Sequence, residues 1–135
     1  MTTRVRRIAQ SCFLLLLGLS AYLSLVPQPP RVAALSWDKL NHSLGYACLL
    51  LALDWGWATG RGRWAKAGLL LAYSGVLEWA QLSVPGREGS LWDLAANGLG
   101  LLVVVALSPI FDCTAFYRRL GGKPAADGPH AFQDR

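Results

Sequence analysis

Four apolar stretches separated by short polar segments constrain the fold of this chain more than any other feature. They extend from Ile8 to Val26, from Trp37 to Trp57, from Ala65 to Val84 and from Leu91 to Phe111. At about 1.5 Å per residue, each stretch as a helix approaches the roughly 30 Å of hydrocarbon in a bilayer. A soluble fold of 135 residues could not bury four such helices, since much of a small domain's surface stays exposed. The pattern predicts an all-α fold, a four-helix transmembrane bundle over residues 1–111.

The charged residues are few and unevenly distributed. They make up 16% of the chain, against about 25% in soluble domains. The net charge is +5, but the basic residues flank the apolar stretches instead of forming one stripe, so nucleic-acid binding is not expected. The polar segment 112–135, rich in Gly, Pro and Ala, predicts a disordered cytoplasmic tail.

The distribution of lysine and arginine predicts how the bundle is oriented. If four helices alternate in direction, one side of the membrane carries ten basic residues, namely Arg4, Arg6, Arg7, Arg61, Arg63, Lys66, Arg118, Arg119, Lys123 and Arg135. The opposite side carries only Arg31, Lys39 and Arg87. The positive-inside rule then places both termini in the cytoplasm, in a multi-pass protein of the cytoplasmic (inner) membrane. Except for Trp79, the tryptophans from Trp37 onward fall where interfacial aromatic belts are expected.

The first apolar stretch has a second interpretation, a cleaved signal peptide, because Leu19-Ser20-Ala21 resembles a small-residue cleavage site. The stretch is longer than the usual apolar core of about 7–15 residues in signal peptides. We therefore expect a retained helix.

Polar residues inside the predicted spans are candidate functional residues, because they are costly in a bilayer unless paired or facing water. The first group, at the start of the second span, comprises Asp38, Lys39, His42 and Tyr46. Asp38, His42 and Tyr46 would share one helix face. For Asp38, capping of the helix is an equally good interpretation.

The second group is Glu78 and Gln81 in the third span. Glu78 would lie about 10 Å from the end of that span near Pro85, too deep for a surface charge. It is either paired internally, with Arg87 as one partner to consider, or a pocket carboxylate.

The third group, Arg87, Ser90, Asp93 and Asn97, surrounds the start of the fourth span. Ser90 is a suitable N-cap and Asp93 would favour the helix dipole, but neither role explains Asn97 one turn further in. Gly100 continues the face of Asn97 and predicts close helix packing.

All three groups would lie at the outer ends of their spans. Asp54 alone on the inner side supplies no polar path through the membrane, so a channel is not expected.

Two segments carry a resemblance to a known family. Asp38-Lys39-Leu40-Asn41-His42, with Tyr46, resembles the DKxxHxxxY signature of the VanZ-like family of bacterial membrane proteins. Glu78-Trp79-Ala80-Gln81, followed by Pro85, Arg87, Ser90, Asp93, Asn97 and Gly100, is similar to the family's second signature, ExxQ…PxR…S…D…N…G. The resemblance implies a multi-helix membrane protein and a link to low-level resistance to teicoplanin, a lipoglycopeptide that acts on cell-wall precursors. It implies no established reaction.

Three functions remain open. The leading hypothesis is an outward-facing polar pocket that binds an envelope lipid or a lipid-linked cell-wall precursor. Its candidate ligand-binding residues are Asp38, Lys39, His42, Tyr46, Glu78, Gln81, Arg87, Ser90, Asp93 and Asn97, with Lys39 and Arg87 suited to phosphate or carboxylate. The second is an intramembrane enzyme with His42, Glu78 and Asp93 as acid–base candidates. The third is a scaffold that binds another membrane protein. No metal or cofactor is expected, because His42 is the only histidine in the predicted spans.

Overall fold

A computed structural model describes residues 3–27, 38–57, 62–87 and 89–108, with only the backbone of Asp38. Over these ranges the chain is all-helical: α1 is Thr3–Leu25, α2 is Asp38–Gly56, α3 is Arg63–Gln81 and α4 is Leu91–Ala106. The predicted all-α fold with four helices is confirmed. The predicted tail, 112–135, and the side chain of Asp38 lie outside the described residues.

Several helix boundaries differ from the prediction, most clearly the start of α1, the end of α3 and the end of α4, which is Ala106 instead of Phe111. α1 begins at Thr3, ahead of Ile8, because the arginines in this segment are good helix formers. α3 ends at Gln81, before the predicted Val84. The amides of the next three residues donate to carbonyls three positions earlier, at 2.9 to 3.2 Å, so the chain leaves the helix in tight turns. Pro85 accounts for this early end, because the residue before a proline avoids the helical conformation.

Successive helices run in opposite directions. The start of α1 meets the end of α2, where Arg6 Nε and Gln10 Nε2 donate to the Gly56 carbonyl at 3.2 and 2.9 Å. The starts of α2 and α4 meet through Lys39 and Asp93. We call the end of the bundle with Lys39 and Asp93 the upper end, and the end with Gly56 the lower end.

The centre of the bundle is formed by α2, α3 and α4. Its apolar side chains are almost fully buried: Tyr46, Leu49, Leu50, Ala67, Leu70, Leu101, Val104 and Val105. α2 lies close to the other three helices, whereas no Cα atom in the described part of α1 comes within 8 Å of one in α4. α1 contributes a single buried residue, Ala9, so it packs on the outside of this core.

The closest approach of two helices is at Gly100. A Cβ atom on this residue would lie 2.0 Å from the carbonyl oxygen of Ser43 on α2. Only glycine fits, because that separation is far inside van der Waals contact. The close packing predicted for the face of Gly100 is confirmed.

Large apolar side chains are exposed on several helices, and some polar side chains are buried beside the apolar core. Leu15, Leu69 and Leu102, on three different helices, are 73%, 65% and 52% exposed. Ser74 and Asn97 are 1% and 2% exposed and therefore lie in the interior. Extended apolar surface of this kind marks contact with a membrane or with another protein.

Length and hydropathy distinguish α1 from the other described helices. It has 23 residues, and an 18-residue stretch within it has a mean hydropathy of 1.8. These values suit a membrane span or, because the helix lies near the N-terminus, a signal sequence. α4 is apolar but has only 16 residues. α2 and α3 do not meet the same criterion, and both carry several ionisable residues. One candidate span is thus found where four were predicted.

Candidate functional site

The upper end of the bundle brings together polar residues from α2 and α4. Lys39 forms an ion pair with Asp93, whose side chain is 14% exposed, while that of Lys39 is 52% exposed. His42 lies one helical turn after Lys39, and its Nε2 is 3.6 Å from Asp93 Oδ2. Residues three apart share a helix face, so the Lys39 ammonium and the His42 imidazole point at one carboxylate.

Asn97 continues this group into the interior. It lies one turn after Asp93, and its Oδ1 is 3.2 Å from His42 Nδ1. Its Nδ2 donates to Ser74 Oγ on α3 at 2.6 Å. Because the amide nitrogen is directed to Ser74, the amide oxygen faces Nδ1 of His42. Asn97 therefore links three helices.

Tyr46 closes the inner end of this series. It is 5% exposed, it follows His42 by one turn of α2, and its hydroxyl lies near Ser74. Six residues thus form one connected series, which we call the polar column: Lys39, His42, Tyr46, Ser74, Asp93 and Asn97. It runs from the exposed upper end to a buried hydroxyl pair.

Ser74 is the member that the sequence analysis missed. Serine is common in helices and carries no charge, so its residue type gives no signal. Its spacing does, because Ser74, Glu78 and Gln81 lie four and three residues apart and form a stripe along one face of α3. Such a stripe in an otherwise apolar helix indicates a face turned toward other polar groups.

Glu78 is paired with the backbone instead of with Arg87. Its Oε2 accepts a hydrogen bond from the Ser90 amide at 2.7 Å. Ser90 occupies the N-cap position of α4, as predicted, but its side chain makes no capping hydrogen bond. Its carbonyl accepts from the Asp93 and Leu94 amides at 2.9 and 3.2 Å. Glu78 therefore fixes the start of α4 against α3.

Gln81 and Arg87 bind the end of α1. Gln81 Nε2 donates to the Ser24 carbonyl at 3.1 Å. Arg87 Nε donates to the Val26 carbonyl at 3.2 Å, and its Nη2 donates to Leu23. The last carbonyls of a helix lack partners within the helix, so these side chains supply donors for them. Gln81 Oε1 is buried and accepts no hydrogen bond within the described part of the chain.

A second polar group lies at the lower end. Asp54 accepts from Arg63 Nε and from Lys66 Nζ, both at 2.7 Å. Lys66 Nζ also donates to the Trp57 carbonyl at 2.8 Å. The sequence analysis treated Asp54 as isolated and the two cations as topology signals. Instead the three side chains join the end of α2 to the start of α3.

The predicted site residues thus separate into three places at the upper end. Lys39, His42, Tyr46, Asp93 and Asn97 meet in the polar column. Glu78 accepts a hydrogen bond from the Ser90 amide and so joins α3 to the start of α4. Gln81 and Arg87 donate hydrogen bonds to carbonyls at the end of α1. Over the ranges that the structure describes, no three His, Cys, Asp or Glu side chains are grouped so that they could hold a metal ion.

No family model, curated protein or solved structure matches this chain. The resemblance to the VanZ-like family therefore rests on the two sequence signatures alone. Inference about function starts from the geometry of the polar column.

Proposed function

We propose that this chain is a multi-pass membrane protein of the VanZ-like type that binds the polar head of an envelope lipid or lipid-linked precursor at its upper end. The polar column carries the proposal. It gives the upper end an accessible ammonium, an imidazole and a carboxylate, held in place by a buried amide and two buried hydroxyls.

The membrane location is supported by the exposed apolar side chains on several helices, together with the buried polar ones. Exposed leucines on the helices suit a hydrocarbon surrounding, where buried Ser74 and Asn97 would be costly to expose. α2 and α3 have 19 residues each, a length of about 28 Å that approaches the hydrocarbon thickness. Their ionisable residues are concentrated toward the helix ends, where long side chains reach water.

The contacts of α1 support its retention as a membrane helix. Tyr73 OH donates to the Leu17 carbonyl at 2.9 Å. Farther up, Gln81 and Arg87 use the carbonyls at its end. Without α1, these three polar side chains would face lipid.

The proposed ligand follows from the two cationic side chains at the upper end. Lys39 carries a positive charge on a side chain that is half exposed. Arg87 has two of its five donors on α1 carbonyls. Phosphate or carboxylate groups suit both residues. Leu40 and Leu44 on α2, near Lys39, are exposed and suit the tail of an amphiphile. By the positive-inside rule, this end faces the envelope.

The test is native mass spectrometry of the full chain purified from membranes in mild detergent. We expect an amphiphile to copurify with the wild type and to be mostly lost from a Lys39→Gln/His42→Gln variant. Arg63→Gln is the matched control, because Arg63 is also a partly buried cation paired with an aspartate, but at the lower end. Equal retention in all three proteins would reject the binding function.

A second candidate, a structural scaffold, is favoured by the way that members of the polar column satisfy one another. Asn97, for example, uses both polar atoms within the protein. Under this alternative, Lys39→Gln/His42→Gln lowers the yield of folded protein and the unfolding temperature in proportion to any phenotype. Loss of the amphiphile from a normally folded variant excludes it.

A further inference from the structure

We infer a second lipid site: the lower end of α1 binds the phosphate of an anionic phospholipid through Arg4 and Arg7. This site is separate from the polar column, although it rests on the membrane location proposed above.

The first observation is that most basic side chains in the described helices and turns bind other parts of the protein, whereas Arg4 and Arg7 do not. Arg6 donates to Gly56, Arg63 and Lys66 bind Asp54, and Arg87 binds the end of α1. Arg4 and Arg7 make no hydrogen bond or ion pair with any described residue. They are thus two adjacent charges that the described parts of the protein do not compensate.

The second observation is the shape of the surface around these arginines. Arg4 and Arg7 lie three residues apart on the exposed side of α1, so their guanidinium groups project in similar directions. Both line a shallow depression with Thr3 and Ile8. An adjoining depression is lined by Thr3, Arg6, Arg7 and Gln10.

One wall of the adjoining depression is fixed. Arg6 and Gln10 both donate to the Gly56 carbonyl, which holds this turn of α1 against the end of α2. The backbone that carries the planar guanidinium groups of Arg4 and Arg7 is therefore held in place. Guanidinium forks bind phosphate oxygens in pairs.

Apolar surface beside the arginines favours a phospholipid over a free phosphate or a nucleic acid. Val5 and Ile8, within the same two turns, are 45% and 55% exposed, and Leu14 and Leu15 continue this surface upward. A headgroup held by Arg4 and Arg7 places its acyl chains along these residues. By the positive-inside rule, this end faces the cytoplasm, where anionic lipids attract basic segments.

The test measures binding of phosphatidylglycerol to the full-length protein in phosphatidylcholine nanodiscs, by native mass spectrometry over a range of phosphatidylglycerol fractions. We expect Arg4→Gln/Arg7→Gln to weaken binding about 30-fold, from the usual contribution of two basic residues at a membrane surface. Arg118→Gln/Arg119→Gln removes the same charge from the carboxyl-terminal segment and should bind nearly as the wild type does. Arg4→Lys/Arg7→Lys keeps the charge without the fork and should give intermediate binding.

Three results would overturn the inference. Equal binding by the wild type and Arg4→Gln/Arg7→Gln removes the role of these arginines. An equal loss of phosphatidylglycerol binding in Arg118→Gln/Arg119→Gln would show that binding depends only on the net charge of the protein. Displacement of the lipid by millimolar glycerol 3-phosphate identifies a soluble phosphate as the ligand.

Failure of this site and failure of the upper site can be distinguished. Amphiphile retention that depends on Lys39 and His42 tests the polar column, and Arg4→Gln/Arg7→Gln leaves those residues intact. A chain that is extracted from membranes by alkaline carbonate would instead reject the membrane location on which both sites depend. The unfolding temperature of Arg4→Gln/Arg7→Gln should equal that of the wild type, because both arginines are exposed.

Discussion

The buried side-chain amides of Asn97 and Gln81 are expected to contribute differently to the stability of the fold. Asn97 uses its oxygen and its nitrogen in hydrogen bonds that join α2, α3 and α4. Gln81 uses its nitrogen on Ser24, but its buried oxygen has no partner among the described residues. A buried polar atom without a partner costs about 1–3 kcal/mol. Asn97 should therefore stabilise the fold more than Gln81 does.

Replacing each amide by leucine tests this difference. Asn97→Leu removes the contacts that the amide makes with His42 Nδ1 and Ser74 Oγ, and it should destabilise the protein by about 2–4 kcal/mol. Gln81→Leu loses one hydrogen bond but also removes the unpaired oxygen, so we expect less than about 1 kcal/mol. The measurement is reversible unfolding of both variants in the same detergent. A larger loss for Gln81→Leu would show that its oxygen has a partner.

Among individual residues, the charged members of the polar column are easier to predict from the sequence than the neutral ones. Lys39, His42 and Asp93 attract attention because charge is rare in an apolar helix, and Asn97 because no capping role explains it. Ser74 carries no charge, and its one signal in the sequence is its spacing from Glu78 and Gln81 along one face of α3. The partners of Arg87 were less predictable, since its choice of α1 carbonyls over Glu78 depends on where α1 lies.

Among the helices, the α2–α4 pair depends most on one residue. At Gly100 the backbones are so close that a methyl group would lie 2.0 Å from the Ser43 carbonyl oxygen. At Gly98, on another face of α4, the nearest atom to such a methyl group is the Leu71 Cδ1 at 3.6 Å, an ordinary contact. The two glycines form a matched pair for mutagenesis.

We expect Gly100→Ala to destabilise the bundle by about 1–3 kcal/mol or more, because α2 and α4 must separate. That separation also moves Asp93 and Asn97 away from Lys39 and His42. Gly98→Ala should be neutral, or stabilising by up to about 1 kcal/mol, through its higher helix propensity. Unfolding of both variants gives the comparison, and equal effects would contradict the close approach.

The order and number of helices followed from the apolar stretches, and the close approach at Gly100 from a small residue on the face of Asn97. The helix ends were less predictable. The arginines before Ile8 could have been a flexible flank, but instead they extend α1 to Thr3. Pro85 was interpreted as the end of α3, but its effect reaches back to Leu82 through the preceding tight turns.

The molecule as a whole has two polar ends joined by an apolar body, and α1 is the helix whose role most needs a direct test. We expect the mature protein to retain residues 3–25, because α3 and the turn after it place polar side chains on α1 carbonyls. Intact-mass measurement of protein purified from membranes tests this expectation. A mature chain that begins after Ala21 would identify α1 as a cleaved signal sequence.

The arrangement of α1 also has a consequence for biosynthesis. The carbonyls of Leu23, Ser24 and Val26 find their donors 57 to 64 residues later in the chain. At about 5–20 residues per second, the ribosome needs roughly 3–13 s to supply them. On the membrane location proposed above, the end of α1 stays hydrated at the membrane surface during that interval or is held by the insertion machinery. The first helix to be made is therefore among the last to reach its final hydrogen bonding.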